Sequence, residues 1–300
     1  MSKVLMIFID GVGIGENDKV KNPFFKYNFR LFSDHFSSPP DLSQQYQNVD
    51  NSFFWPSDAC MGIEGLPQSG TGQTSIFCGV NAQKIIGKHF GPYPYSTLIP
   101  VIRELNIFKT LQDAGRKVLF VNAYPKIFFD YLKSGKQRLS FTTLSCKLNG
   151  MRLNTASDLR KGRALSAEIN NSRWREKLGY NLPVIRESTA ALRLIRLAAK
   201  NDFTLFEYFL TDHFGHLRHG EYFEEGIRVF DHFLYEIFER LPDDMTLFVC
   251  SDHGNFEDMS VKTHTLNPAL CMASGKYAKY FSENVANLEQ IKPALLKVIS

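Results

Sequence analysis

Long hydrophobic runs are missing from this 300-residue chain. No uninterrupted apolar stretch approaches the roughly 18 residues that suggest a membrane span. Between Lys3 and Asp10 the N-terminus offers only Val4 to Ile9, short of the roughly 7–15 apolar residues of a secretory leader. A soluble, cytoplasmic protein is expected, without a membrane partner. Cysteine is scarce as well. Cys60, Cys78, Cys146, Cys250 and Cys271 are odd in number and show no CxxC spacing, which argues against a disulfide scaffold or a zinc knuckle. Most of these thiols should be small core residues. There is no internal repeat and no low-complexity tract.

What is present suffices for a large core. Hydrophobic residues make up 44% and aromatics 13%, which excludes general disorder. The length fits one large α/β domain or two ordinary ones. The net charge of +4 says little, but its distribution says more. Residues 133–177 hold eleven Lys or Arg against Asp158, Glu168 and Glu176, a local balance of +8 on a body of about −4. Such a segment suggests an anionic partner, either a small substrate or a nucleic acid; a solvated Lys-rich surface is the plainer alternative.

Val4–Ile9 is a continuous apolar run ending at Asp10-Gly11, as a strand buried on both faces should. Val118–Val121, Leu205–Leu210 and Thr246–Cys250 read the same way. Helical patterns lie between them. Leu98–Ala114 runs to a stop at Gly115, and Phe223, Ile227, Phe230, Leu234, Ile237 and Leu241 mark one face of an amphipathic helix. The expected fold is therefore α/β, a mostly parallel sheet with helices on both faces. Two stretches break the alternation: 17–60, a long and partly helical excursion, and 128–187, a basic insertion.

In open α/β sheets, ligands collect beyond the carboxyl ends of the strands. Asp10 follows the first strand, Asp212 and His216 the Leu205–Leu210 strand, and Asp252 and His253 the Thr246–Cys250 strand, with His264 a few residues on. A lone Asp-Gly or Asp-His-Gly after a strand is ordinarily a turn. The coincidence of three strand ends is what suggests a site, and Asp with His suits Mn²⁺ or Zn²⁺. His213, His219 and His232 have no special position and are expected at the surface or behind the site. Gly11-Val12-Gly13-Ile14-Gly15-Glu16 mimics a dinucleotide-binding loop, but Glu16 stands where its third glycine belongs, and Asp10 would face the pyrophosphate. Pro67-Gln68-Ser69-Gly70-Thr71-Gly72-Gln73-Thr74-Ser75 puts Ser69 at a helix start, where it could face an anion or simply cap the helix. It matches neither a nucleophile elbow nor a phosphate-binding Walker loop.

Taken together, Phe8–Glu16, Ser69–Gly79, Asp212-x-x-x-His216, Ser251-Asp252-His253-Gly254 and Thr263-His264-Thr265-x-Asn267-Pro268 resemble the metalloenzyme branch of the alkaline phosphatase superfamily. That branch includes cofactor-independent phosphoglycerate mutase and phosphopentomutase. The resemblance covers about 1–127 and 188–300, and implies a metal-binding catalytic core with 128–187 as a small lid. It implies two divalent ions, one held by Asp10, Ser69, Asp252 and His253, the other by Asp212, His216 and His264. Ser69 takes the nucleophile position because it stands ten residues before Gly79; Thr71 is next in line. Gln73 replaces the His of the mutase pattern.

The implied activity is phosphoryl transfer through Ser69 on a small anionic phosphorylated substrate. Relatives that are mutases carry a sizeable cap, whereas 128–187 is short. This favours hydrolysis of a phosphoester, with an intramolecular phosphomutase of a phosphosugar or phosphoglycerate as the alternative. Sulfatase chemistry is disfavoured, since Cys78 lacks the C-x-P-x-R context. A basic nucleic-acid-binding module would explain 133–177 but leave the Asp and His residues idle. A scaffold with a dead site is disfavoured because no member of the metal set is missing. The lid should place Arg152, Arg160 and Arg163 over the substrate, with Lys88 and His89 on the approach from the nucleophile side.

Overall fold

A computed structural model describes residues 2–135, 138–216 and 220–300. Seven strands form one sheet: β1 (Lys3–Ile9), β2 (Gln47–Val49), β3 (Ser52–Ser57), β4 (Val118–Phe120), β5 (Phe203–Tyr208), β6 (Met245–Cys250) and β7 (Ala269–Gly275), in the spatial order β2-β3-β7-β6-β1-β5-β4. β4, β5, β1 and β6 are parallel neighbours. β7 runs antiparallel to β6 and to β3, and β2 antiparallel to β3. Five of the seven strands thus point one way, and their carboxyl ends share an edge of the sheet.

The side-chain period of two explains why β1 is apolar throughout. Leu5, Ile7 and Ile9 enter one core, while Val4, Met6 and Phe8 enter the other. Each fully buried side chain of this size stabilises the fold by about 1.5–3 kcal/mol. Helices Glu187–Ala198 and Phe223–Glu239 cover the first face. Helices Ser69–Cys78, Ile107–Asp113 and Ile291–Ile299 cover the second. Cys78, Cys146, Cys250 and Cys271 are buried and Cys60 half-buried, all as free thiols.

Three expectations need correction. The 17–60 excursion holds two short helices, Pro23–Lys26 and Arg30–His35, but ends in the β2–β3 hairpin. Asp50 and Asn51 make its two-residue turn with φ of 46° and 64°, the left-handed pair that matches strand twist. The helix expected over 98–114 is broken at Asn106, which is extended (ψ 147°) and caps the second half by accepting from the Lys109 N–H at 3.0 Å. The glycine run after β1 does not open a helix. Instead Gly13 bridges to Ala269 beside β7, which removes the dinucleotide alternative.

The 128–187 insertion overlaps or contains four short helices: Lys126–Lys133, Phe141–Leu148, Ala156–Arg160 and Ser172–Glu176. It is stitched to the body. Phe141 and Cys146 pack into one main core, Leu165 and Ile169 into the other, and Leu159, Ala164, Trp174 and Leu182 form a small cluster with Ala123.

Candidate metal centre

The strand ends converge. Asp10 leaves β1, and Asp252 and His253 leave β6 beside it. Asp212 sits on the Leu210–Gly215 helix that follows β5, with His216 at its C-cap. Asp10, Asp252 and His253 offer donor atoms within 4.8 Å of one another, as do Asp212, His253 and His264. His253 Nε2 lies 3.4 Å from Asp10 Oδ1 and 3.6 Å from Asp252 Oδ1. Asp212 Oδ1 lies 3.4 Å from His216 Nε2 and 3.5 Å from His264 Nε2, and the two imidazole nitrogens are 3.2 Å apart. With metal–ligand bonds of about 2.0–2.2 Å, the edges of a coordination tetrahedron have this length.

All three imidazoles are oriented alike. A carbonyl oxygen can only accept, so each Nδ1–H must donate: His264 to Pro67 at 2.6 Å, His216 to Lys262 at 2.8 Å, and His253 to Gly254 at 3.3 Å. In the neutral ring this leaves each Nε2 lone pair facing the site, the tautomer a metal ligand needs.

The Asp10 carboxylate lacks the cationic partner its burial demands. Asp10 Oδ1 is buried with no hydrogen-bond partner. Burial, then the charges of Asp252, Asp212 and Glu207, hold the Asp10 carboxyl well above its ordinary range. Gln73 Nε2 donates to both Asp10 Oδ2 and Asp252 Oδ2, at 3.3 and 3.4 Å. A neutral amide therefore stands where the mutase pattern has His. Asp212 goes the other way. Burial opposes its charge, but His264, His253 and the Asn255 amide at 2.7 Å outweigh it and pull its carboxyl far down. A divalent cation in each group fits this set: buried acids, imidazole nitrogens facing inward, and an orphaned carboxylate oxygen.

Ser69 is the first residue of the Ser69–Cys78 helix, and its hydroxyl lies 3.0 Å from His253 Nε2. The other hydroxyls of the motif are engaged elsewhere. Thr71 Oγ1 bonds Gln68 O at 3.2 Å and accepts from the Phe90 N–H, and Thr74 bonds Gly70 O at 2.7 Å.

Four residues that position the site were not anticipated. Glu257 is 1% exposed and accepts from the Gly13 and Asn255 N–H groups at 2.8 Å each, from Thr265 Oγ1 at 2.5 Å and from Asn267 Nδ2 at 3.0 Å. It ties together the three loops that follow β1, β6 and the His264 turn. A Cβ at Gly13 would run into its carboxylate at 2.6 Å, and one at Gly11 (φ 68°) would meet Asp212 Oδ1 at 2.8 Å, so both positions require glycine. Asn255 holds Asp212. Glu207, deep beside Asp10, is pushed up to about 7 by burial, against a 2.7 Å bond from Thr142 Oγ1. Ser251 Oγ accepts from the Val12 N–H at 2.8 Å. Ser251 and Asn255 stand in or beside the Ser251–Gly254 motif, but their roles depend on Val12 and Asp212, and those of Glu257 and Glu207 on Gly13, Asn267 and Thr142, partners that only the fold brings near.

The site opens into a cleft of about 1010 Å³ reached by Ser69, Asp10, Asp212, His216 and His264. The expected substrate arginines do not line it. Arg152 and Arg163 are bound to Asp158 at 2.6 and 2.9 Å, Arg160 lies outside the cleft wall, and among the described residues Arg138 and Lys262 are the Lys and Arg side chains that do reach it. Lys88 instead lies over the Phe90 and Tyr95 rings, and His89 bonds Ile63 O at 3.0 Å. His213 is exposed on the cleft and His232 half-buried on the Phe223–Glu239 helix; His219 lies outside the described residues.

Residues 183–300, which carry Asp212, His216, Asp252, His253 and His264, match the family model of the Metalloenzyme superfamily. The resemblance to the metalloenzyme branch of the alkaline phosphatase superfamily holds. Its fold is shared by solved structures at low identity. A protein of Pyrococcus horikoshii is 13% identical (TM-score 0.57; 99% of this chain and 96% of that one covered). The alkaline phosphatase of the Antarctic bacterium TAB5 is 15% identical (TM-score 0.57; 99% and 98%). The phosphoglycerate mutase of Leishmania mexicana is 10% identical (TM-score 0.50; 99% and 95%). No curated protein matches the chain by sequence. No described helix is long and apolar enough to cross a membrane.

Proposed function

We propose that this chain catalyses metal-dependent phosphoryl transfer through Ser69, with water as the final acceptor: a hydrolase of small phosphoesters. The observation that carries this reading is the Ser69 hydroxyl, 3.0 Å from His253 Nε2 at the meeting of the two donor groups. Asp10, Ser69, Asp252 and His253 would hold one divalent ion, and Asp212, His216 and His264 the other, Mn²⁺ or Zn²⁺. When bound, such ions supply the positive charge that lowers the serine pKa and neutralises phosphoryl oxygens.

Ser69 Oγ gives its proton to a water molecule and attacks phosphorus in line, the bond to the leaving oxygen breaks, and the leaving alkoxide takes up that proton from solvent. Water then attacks the phosphoserine, returning Ser69 and releasing phosphate. Gln73 holds the Asp10 and Asp252 carboxylates in place without adding charge. Water is favoured as acceptor because the insertion is short and the cleft leaves room beside a bound ester.

Protein purified without chelator should carry two divalent ions and hydrolyse members of a phosphoester panel in ¹⁸O-water with one label per phosphate released. An isomerised, unlabelled product would point to a mutase instead. Ser69→Ala should lower turnover by at least about a thousandfold while keeping its fold and at least one ion. Residual activity within about tenfold of wild type, roughly 1.4 kcal/mol in barrier, would remove Ser69 from the nucleophile role.

A further inference from the structure

The helix Lys126–Lys133 (KIFFDYLK) has five apolar or aromatic side chains among its eight residues and fully buries none of them; Phe128, Phe129, Tyr131 and Leu132 are half-buried. Ile127 is 69% exposed. Tyr124, Phe128 and Tyr131 form a slipped ladder of rings: Tyr124 and Phe128 stack at 4.4 Å between centroids, Phe128 and Tyr131 at 6.3 Å, with interplanar angles of 28° and 30°. Apolar surface left open in this way marks a contact surface. The ladder faces the same cleft as Ser69, Asp212 and His264. Leu66 and Tyr93, 37% and 39% exposed, add apolar surface from the segments flanking Ser69.

Several polar groups of the cleft beside the ladder are already engaged within the protein. Asn122 exchanges bonds of 2.7 and 2.8 Å with the Glu207 backbone. Thr143 Oγ1 bonds the Tyr124 hydroxyl at 2.9 Å and Ser140 Oγ at 3.0 Å. A polyhydroxylated leaving group would lose hydrogen bonds to water here and find few replacements. A flat apolar ring would lose none. Arg138 and Lys262 supply positive charge at the same cleft, matched to the phosphoryl end of such a molecule.

We propose that the cleft selects phosphoesters whose leaving alcohol carries a planar aromatic ring, and that this ring seats on Phe128 and Tyr131. The inference rests on the phosphoryl-transfer reading above. Ring–ring contacts of this kind support about a tenfold preference.

The test compares benzylphosphonate with ethylphosphonate by calorimetric titration of the Mn²⁺-loaded full chain, and 2-phenylethyl phosphate with ethyl phosphate in turnover. Benzylphosphonate should bind about tenfold tighter, and kcat/KM should favour the phenylethyl ester similarly. The double variant Phe128→Ala/Tyr131→Ala should reduce both ratios to about twofold or less. Since neither ring is fully buried, the variant should fold; Phe128→Ser alone provides a second reading of the same ratio. Equal affinities, or a ratio that both variants leave intact, would overturn the inference. Equal turnover of the two esters sinks this selectivity alone. A ring preference in binding with no ester turned over sinks the phosphoryl-transfer reading alone, and no binding of either phosphonate overturns both.

Discussion

Asp252 and Phe128 belong to two regions that meet at one cleft and are built in opposite ways. Asp252 is fully buried just beyond a central strand, on a platform whose loops after β1 and β6 are tied to the His264 turn through Glu257. Phe128 is half-buried on a helix that fully buries none of its side chains. The platform is fixed by the sheet beneath it. Parallel strands end at one edge, and that edge sets the spacing of Asp10, Asp252 and Asp212 regardless of what binds there. The insertion is held by scattered anchors such as Phe141 and Leu165, so its cleft-facing surface is free to differ. On the proposed function, the first region would carry the chemistry and the second the choice of substrate.

Breaking the platform should cost most. Glu257→Gln keeps the shape but leaves an amide among four donors, so two or more of them lose their acceptor in a buried place. A loss of about 2–4 kcal/mol in unfolding free energy is expected, with weaker metal retention, measured by denaturant titration with and without Mn²⁺. Wild-type stability in this variant would show that the three loops are held by something else. The equivalent loss from removing a cleft-facing side chain of the 126–133 helix should be within about 0.5 kcal/mol.

A second change sharpens the contrast by separating function from stability. On the proposed function, the platform's acids would hold cations, at the expense of the metal-free fold. Asp10 is the extreme case, with a buried, partnerless Oδ1 beside Asp252. Asp10→Asn should therefore raise the melting temperature of chelator-treated protein by a few degrees at neutral pH, while abolishing the rise that Mn²⁺ gives wild type. Calorimetry in both conditions reads the two effects. A variant that is less stable without metal would mean that the Asp10 charge is compensated within the protein.

The sequence revealed the platform more fully than the insertion, for a physical reason. Val4–Ile9 and Leu247–Cys250 are buried on both faces and so are apolar at every position, and the residues just past such a run stand at the sheet edge. Asp10 comes directly after its run and Asp252 one residue after Ser251, and the coincidence of such strand ends is what marked them. β7 and the β2–β3 hairpin escaped notice because Ala269–Gly275 and Ser52–Ser57 mix small and polar residues into short strands, though Asp50-Asn51 was a legible turn. Glu257, Asn255 and Glu207 act through partners that only the fold brings near. The +8 balance of 133–177 was visible, but not which charges were already paired.

That pairing yields the finest test of the comparison. Burial raises the Asp158 carboxyl, but the Thr155 N–H, Arg152, the Thr155 hydroxyl and Arg163 together bring it down to about 2. Arg152 and Arg163 are thus engaged in holding the insertion's turn, while Arg138 is exposed on the cleft. A carboxyl depressed in the fold stabilises it above its unfolded value near 4, and that contribution is lost as pH falls from about 4 toward 2. Arg163→Gln should shrink this acid-limited contribution, moving the acid-unfolding midpoint slightly upward, and should change KM for an anionic phosphoester less than twofold. Arg138→Ala should leave the acid midpoint in place and raise KM about threefold, with a weaker salt dependence of kcat/KM. Parallel titration and steady-state measurements on the two variants decide it. If Arg163→Gln moves KM as far as Arg138→Ala does, the charge of the insertion acts as a diffuse field rather than through Arg138 at the cleft.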